Sequence, residues 1–375
     1  MMPFPKSSLS TKIIFAPGGF FFFLKRIEKN CFVPDSQAFE AHPMCLCTFL
    51  AIPTMPSATF LIALACLFTT PMAAASTNST NGGKVWTAEQ LFPLGGYKHF
   101  ECGTNKSSAS EHFLNFHNHL YYTQTRGGSP AARAGVKVRQ EETSSSSSPI
   151  TVDVAFHIVS TTDQQHLVQL PWVDQQMAKL NAMYNNYSIS FNLINTSWTV
   201  NDAWAVGAGN DMHNMKVALR QGTYATHNIY FMTNLTGNIL GTCTMPTNIS
   251  PGDPSSYTDD GCCVNAGTMP GGPIYGYNEG MTAVHETGHW LGLFHVFENY
   301  SCVGDGDYIA DTPMQSISTN GCPVGTPPPN SCPQEAGYDN IHNVMDYSDD
   351  ACYTGFTADQ RSRILAMWQQ YRRGK

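Results

Sequence analysis

The chain is poor in charge. Only 13% of its 375 residues are Asp, Glu, Lys or Arg, and 20 basic residues face 28 acidic ones, for a formal net charge of −8. That composition supplies no basic stripe and argues against a nucleic-acid partner. Long apolar runs are also missing from the start of the chain. Residues 13–24 are apolar but contain Pro17, Gly18 and Gly19, and the run is too short to span a bilayer as a helix. The acidic residues do not follow the spacing of an EF-hand loop. What is abundant is cysteine, 12 in all, together with Asn-x-Ser/Thr sequons beginning at Asn78, Asn105, Asn186, Asn195, Asn234, Asn248 and Asn299. Cysteines and sequons together point to an oxidising, secretory compartment and a glycosylated product.

The first 54 residues do not read as a domain and look like an extension of the gene model. From Met55 the pattern changes. Residues 59–68 form a short apolar core, Pro71 follows, and Ala73, Ala74 and Ala75 supply small residues for cleavage. Residues 55–75 are therefore expected to be a signal peptide. An uncleaved anchor is the alternative, and Pro71 and the short apolar run argue against it. Residues 76–149 read as a pro-segment. It has a helix over about 108–122, Gly127 and Gly128, and a serine run over 144–148 that makes a polar linker. The catalytic domain is expected over 150–375.

The strongest chemical signal is His285-Glu286-Thr287-Gly288-His289-Trp290-Leu291-Gly292-Leu293-Phe294-His295. Residues four apart share a helix face, so His285 and His289 can aim ring nitrogens at one metal ion. Catalytic zinc takes three protein ligands and keeps a position for water. Gly292 can end the helix and turn the chain, bringing His295 in from another direction. Glu286 lies beside the first histidine, where a carboxylate can take a proton from water. This is the zincin arrangement in its longer, metzincin form. A helix with two surface histidines, or a closed structural zinc site, are the other readings. Structural sites are usually thiolate-rich, which fits this stretch poorly.

Downstream, Ile341-His342-Asn343-Val344-Met345-Asp346-Tyr347-Ser348 closely resembles the pappalysin branch of the metzincins, especially secreted fungal metalloproteases. Gly241-Thr242-Cys243, Asp260-Gly261-Cys262, Pro270-Gly271-Gly272, Ala310-Asp311-Thr312-Pro313 and Gly321-Cys322-Pro323 extend the likeness from about residue 150 to the C-terminus. The resemblance implies that Met345 is the hydrophobic floor of a Met-turn. It implies that Tyr347 is a distal ligand or a hydrogen-bond donor to the tetrahedral intermediate. Taken by themselves, Met345 reads as core and Tyr347 as a half-buried phenol. Several metzincins are kept latent by a cysteine, and Cys102-Gly103-Thr104 is the candidate here; a disulfide or a free thiol is the alternative. The resemblance also implies disulfides Cys302–Cys332 and Cys322–Cys352, with Cys243–Cys262 as a weaker third pairing and Cys263 left over. Asp305, Asp307, Asp311 and Thr312 could hold calcium, or form a solvated acidic loop.

The coarse pattern gives strands over 150–159, 188–194, 227–233 and 239–245. Helices are expected over 171–187 (stripe Val173, Met177, Leu180, Tyr184), over 212–220, and over 279–291 with the zinc motif. His157 is expected to be a hydrogen-bonded strand residue. The region after His295 should be irregular and disulfide-stapled, and a last helix starts near Ala358 behind the capping box Thr357 to Gln360. The expected fold is a metzincin-like α/β (α+β) zincin, a twisted mixed sheet layered with helices, with an irregular C-terminal subdomain. An edge strand before the zinc helix could bind an extended peptide. The expected function is a secreted zinc-dependent endopeptidase (hydrolase) acting on proteins or peptides. It would be a monomer, with no nucleic acid and no membrane attachment once the signal peptide is cut. A secreted zinc-binding protein that acts by binding is the competing reading.

Overall fold

A computed structural model describes residues 100–125, 149–249 and 254–375, all within the compact unit Asn78–Lys375. The expectations for 1–54, the signal peptide 55–75, the sequon at Asn78 and the serine run 144–148 lie outside the described residues. No helix among the described residues is long and apolar enough to cross a membrane.

The chain enters through helix α1 (Glu111–Thr125), then strand β1 (Ile150–Ser160), helix α2 (Leu170–Tyr184) and strand β2 (Ile189–Val200). Two short helices follow, α3 (Asp202–Val206) and α4 (Asp211–Leu219), then strands β3 (His227–Met232) and β4 (Gly241–Cys243). Helix α5 (Pro254–Thr258) leads to strand β5 (Cys262–Asn265), helix α6 (Met281–Trp290) and helix α7 (Ala358–Met367). Among the described residues the strands form one five-stranded sheet in the order β2-β1-β3-β5-β4. β1, β2, β3 and β5 run parallel; β4 pairs antiparallel with β5 and forms an edge. The sheet is mixed, as expected of a metzincin-like fold.

Side-chain alternation along the strands separates two apolar layers. Val152, Val154, Phe156, Ile158, Ile229, Phe231 and Val264 join the main core with Leu180, Tyr184, Met281, Val284 and Met345. Val159, Tyr230, Met232 and Cys263 face the other way and pack with Ala205 and Met215 from α3 and α4. Helices α2 and α6 thus lie on one face of the sheet, and α3 and α4 on the other.

Several elements differ from the sequence expectation. β5 was not anticipated: it is four residues long, buried throughout, and shows no alternation of apolar and polar residues. In α2 Gln176 is fully buried along with Leu180 and Tyr184, and its amide donates to Gly280 O at 2.9 Å, while Met177 is only partly buried. β2 runs on to Val200, beyond the expected residue 194, past a register shift between Val154 and Ala155 on β1. His157 does sit in a strand, bonded to Ser197 Oγ at 2.8 Å and Asn228 Oδ1 at 2.9 Å.

After α6 there is little regular structure until α7. This half carries the disulfides Cys302–Cys332 and Cys322–Cys352, each closing a sequence separation of 30. Cys243–Cys262 ties β4 to β5, and Cys263 is free and buried. α7 opens with Thr357 Oγ1 accepting from Gln360 N and the Gln360 side chain accepting from Thr357 N, the reciprocal capping box.

Candidate active site

Every residue of α6 is buried, which a short helix achieves only when it is wrapped on all sides. Its first turn is held by the Asp350 carboxylate, which accepts from Glu279 N at 2.8 Å and Met281 N at 3.3 Å. A carboxylate there complements the positive end of the helix dipole. At the other end Gly292 N bonds His289 O at 2.8 Å and Leu293 N bonds Gly288 O at 2.9 Å. Gly292 has φ +92, in the left-handed region, and a Cβ there would lie 2.6 Å from Met367 Cγ. Glycine is therefore required twice over, by conformation and by space. The bend it allows returns His295 to the helix face that carries His285 and His289.

The three imidazoles converge. His289 Nε2 lies 3.1 Å from His285 Nε2 and 3.1 Å from His295 Nε2. Their tautomers are fixed from behind. His285 Nδ1 meets Val344 O at 2.7 Å and His289 Nδ1 meets Leu293 O at 2.8 Å. A carbonyl can only accept, so both Nδ1 atoms carry the proton and both Nε2 lone pairs face inward. His295 Nδ1 faces Glu298 Oε2 at 3.8 Å. Burial holds all three rings below the usual imidazole pKa, His285 at about 4, so they are neutral donors at neutral pH. Neutral nitrogens with their lone pairs aimed at one another repel unless a cation lies among them.

Cys102 closes the group, with Sγ 3.6 Å from His289 Nε2. Among the described residues these four form the one group of His, Cys, Asp and Glu with converging ligand atoms, all within 4.8 Å of one another. A tetrahedral zinc with bonds of about 2.0 Å to nitrogen and about 2.3 Å to sulfur needs edges of roughly 3.3 Å between nitrogens and 3.6 Å from nitrogen to sulfur. The donor set fits that ion.

Glu286 lies beneath strand β4, where a Cβ at Gly241 would collide with its carboxylate. Burial raises its pKa to about 8. Oε2 accepts from Thr104 Oγ1 at 3.3 Å, and the Cys102 thiol is also hydrogen-bonded to this carboxylate. Met345 is fully buried and packs its sulfur against Gly288 of α6. Its turn is fixed by Asn343 Oδ1, which accepts from Met345 N at 2.9 Å. Tyr347 Oη lies 3.3 Å from His295 Nε2 and accepts from Cys102 N at 3.2 Å.

The segment carrying Cys102 lies along β4. Leu240 N donates to Glu101 O and Gly103 N donates to Gly241 O, each at 2.8 Å, a parallel pairing on the sheet edge. α1 follows and docks Phe113 and Phe116 against Phe294, Tyr308, Met367 and Tyr371.

The acidic loop is not gathered in the same way. Thr312 Oγ1 donates to Asp307 Oδ1 at 2.7 Å, Asp305 accepts from Tyr122 Oη at 3.1 Å, and Asp311 accepts from Asp359 N at 3.0 Å.

Sequence reasoning missed three participants. Thr104, the last residue of the Cys102-Gly103-Thr104 motif, bonds Glu286, a contact the motif did not reveal; Phe100 packs on His285 and lies outside any motif. The third is Asp260, fully buried, which accepts from Trp290 Nε1 at 3.0 Å and pairs with Arg372 at 2.8 Å and Arg220 at 3.4 Å. It anchors the end of α6 to the C-terminus, and only tertiary structure brings those residues together.

The chain resembles known proteases in sequence and in fold. The profile of the peptidase M43 family, described as pregnancy-associated plasma protein-A, matches residues 225–369. An extracellular metalloprotease of Neurospora crassa is 40% identical over 277 residues, 73% of this chain and 90% of that one. An extracellular metalloprotease of Aspergillus fumigatus is 44% identical over 257 residues, 60% of this chain and 78% of that one. Among solved structures, mature mirolysin of Tannerella forsythia in complex with a cleaved peptide is 25% identical. Its TM-score is 0.51, over 60% of this chain and 94% of that one. Promirolysin, at 23% identity and TM-score 0.53 over 72% of this chain and 94% of that one, shares the fold. The chain belongs to the pappalysin family of metzincins and is an extracellular zinc metalloendopeptidase.

Proposed function

We propose that this endopeptidase works through a zinc ion on His285, His289 and His295 with Glu286 as general base, and that the described form is its latent state. The observation that carries the reading is the set of three inward-facing Nε2 atoms beside the buried Glu286 carboxylate. When bound, zinc lowers the pKa of water towards about 7 and polarises a peptide carbonyl. Glu286 takes the proton from the attacking water and returns it to the leaving amine. Tyr347 donates from Oη to the oxyanion as it develops. β4 offers its free edge to an extended substrate, as an added strand.

In the latent form residues 101–104 occupy that edge. Cys102 takes the position of water among the histidines, and Thr104 occupies the Glu286 carboxylate. Residues 76–149 then act as pro-segment and linker and 150–375 as catalytic domain, behind a signal peptide at 55–75. The parallel pairing at β4 and the docking of α1 support that division. Calcium remains an expectation for Asp305, Asp307, Asp311 and Thr312.

The test is casein hydrolysis by the secreted protein, wild type beside Glu286→Ala and Cys102→Ser, each with and without a zinc chelator. Glu286→Ala should keep its zinc and lose about 10²–10⁴-fold in rate. Cys102→Ser should make the unprocessed chain more active than wild type. Chelator-insensitive activity, equal in wild type and Glu286→Ala, rejects the mechanism. Stoichiometric zinc with no hydrolysis by any form favours the binding-only reading.

A further inference from the structure

Helix α1 carries a buried titratable group that the proposed chemistry does not use. His117 is fully buried on the docked face of the helix. Its ring centroid lies 4.4 Å from that of Phe113, on the same helix, and 4.7 Å from that of Phe294. Its Nδ1 is hydrogen-bonded to the guanidinium of Arg363, a residue of α7 that is itself 1% exposed. The other arm of that guanidinium donates to Tyr308 O at 2.6 Å. A guanidinium only donates, so Nδ1 must accept, and the docked imidazole is neutral. Burial, and the Arg363 cation beside it, hold the ring well below the usual histidine pKa.

The groups around the ring come from four elements. Arg363 and Asp359 lie on α7, Asp307 and Tyr308 on the loop after α6, and Lys106 on the turn before α1. Tyr371, from the C-terminal turn, meets His112 Nδ1 at 2.8 Å. Asp307 and Asp359 act on the guanidinium, while Lys106 brings a second cation towards the imidazole and donates to Tyr308 Oη at 2.6 Å. On protonation His117 loses its hydrogen bond and meets two cations in a site closed to water. A histidine that docking keeps neutral weakens that docking as pH falls below its free value of about 6.5, by up to about tenfold per unit. Between about pH 7.5 and about pH 5 the loss amounts to about thirtyfold.

We propose that His117 makes α1 an acid-released clamp on the masking segment. At neutral pH α1 stays on α7 and holds residues 101–104 over the site. In acid α1 lifts away, the mask is left to its own contacts, and it yields to cleavage. This rests on the reading of residues 76–149 as a pro-segment.

The first test needs no turnover. The full zinc-loaded chain is prepared as Glu286→Gln, so that it stays uncut, and amide hydrogen exchange of residues 111–125 is compared with free-peptide rates at pH 7.5 and pH 5. Protection of α1 should fall about thirtyfold in acid while α6 keeps its own. With His117→Gln or His117→Leu added, neither of which titrates, the fall should be about threefold or less. The ratio between the two pH values is the readout, so a variant that docks more weakly still reports. Equal ratios with and without His117, or no fall with His117 present, overturn the proposal. In the second test the wild-type chain is held at either pH and then assayed on casein at pH 7.5. Acid-held wild type should gain activity about tenfold faster than neutral-held, and His117→Gln equally from both. Equal gains by wild type from both overturn the proposal. Acid release of α1 at the expected ratio, with no hydrolysis after either treatment, supports the clamp and counts against the proteolytic reading.

Discussion

Asp307 is a carboxylate that the fold keeps from water. It is buried, and burial raises its pKa to about 7 although Thr312 Oγ1 and Ile309 N both donate to it. An acid whose folded pKa lies above its unfolded value stabilises the fold below the unfolded pKa. That contribution is lost as pH rises through the folded one. Here the loss runs from about pH 4 to about pH 7, with a slope of at most about 1.4 kcal/mol per unit. Asp307→Asn should therefore fall less in melting temperature than wild type between those pH values. Parallel curves for the two proteins count against the buried, protonated carboxylate. The same melts read the acidic loop for a cation. Calcium that raises the wild-type midpoint at pH 7 and leaves Asp307→Asn unmoved gives the loop a metal, and no shift in either removes that expectation.

At the scale of the element, the bend after α6 matters most. Gly292→Ala imposes a left-handed φ on a residue with a Cβ and drives that Cβ into Met367. The cost should be about 1–3 kcal/mol, with weaker zinc retention, because Leu293 O fixes His289 and the bend delivers His295. Gly304→Ala, at φ +113 with open space around it, is the control for backbone strain alone. Equal losses of zinc in the two variants would separate the bend from the metal site. The same element shows what the sequence could and could not reveal. Its histidines, Glu286 and Gly292 are readable because their spacing carries the chemistry. Gln176 was overlooked because a buried amide is apolar in its contacts and polar in its letter, and its partner is the Gly280 carbonyl. β5 is too short, and too buried on both faces, to show a period. Asp260 could not be assigned because Arg220, Trp290 and Arg372 are distant along the chain.

Among the described residues, one disulfide ties two strands of the sheet, and two more cross-link the part after α6, which has little regular structure of its own. The two loops overlap, since Cys322 lies between Cys302 and Cys332 in the chain and Cys352 closes beyond the Met-turn. Replacing Cys322 and Cys352 together by Ala should cost about 3–4 kcal/mol and lower the melting temperature. An unchanged midpoint would mean that packing alone holds this half. The centre itself tolerates change for a different reason. Two of its three tautomers are set by main-chain carbonyls, those of Val344 and Leu293, which no point mutation can delete. Side chains around the rings can drift through evolution without reversing which nitrogen carries the proton. Lesions that abolish metal binding should therefore fall at positions that steer the backbone, such as Gly292 and Asn343, more than at those that merely touch an imidazole.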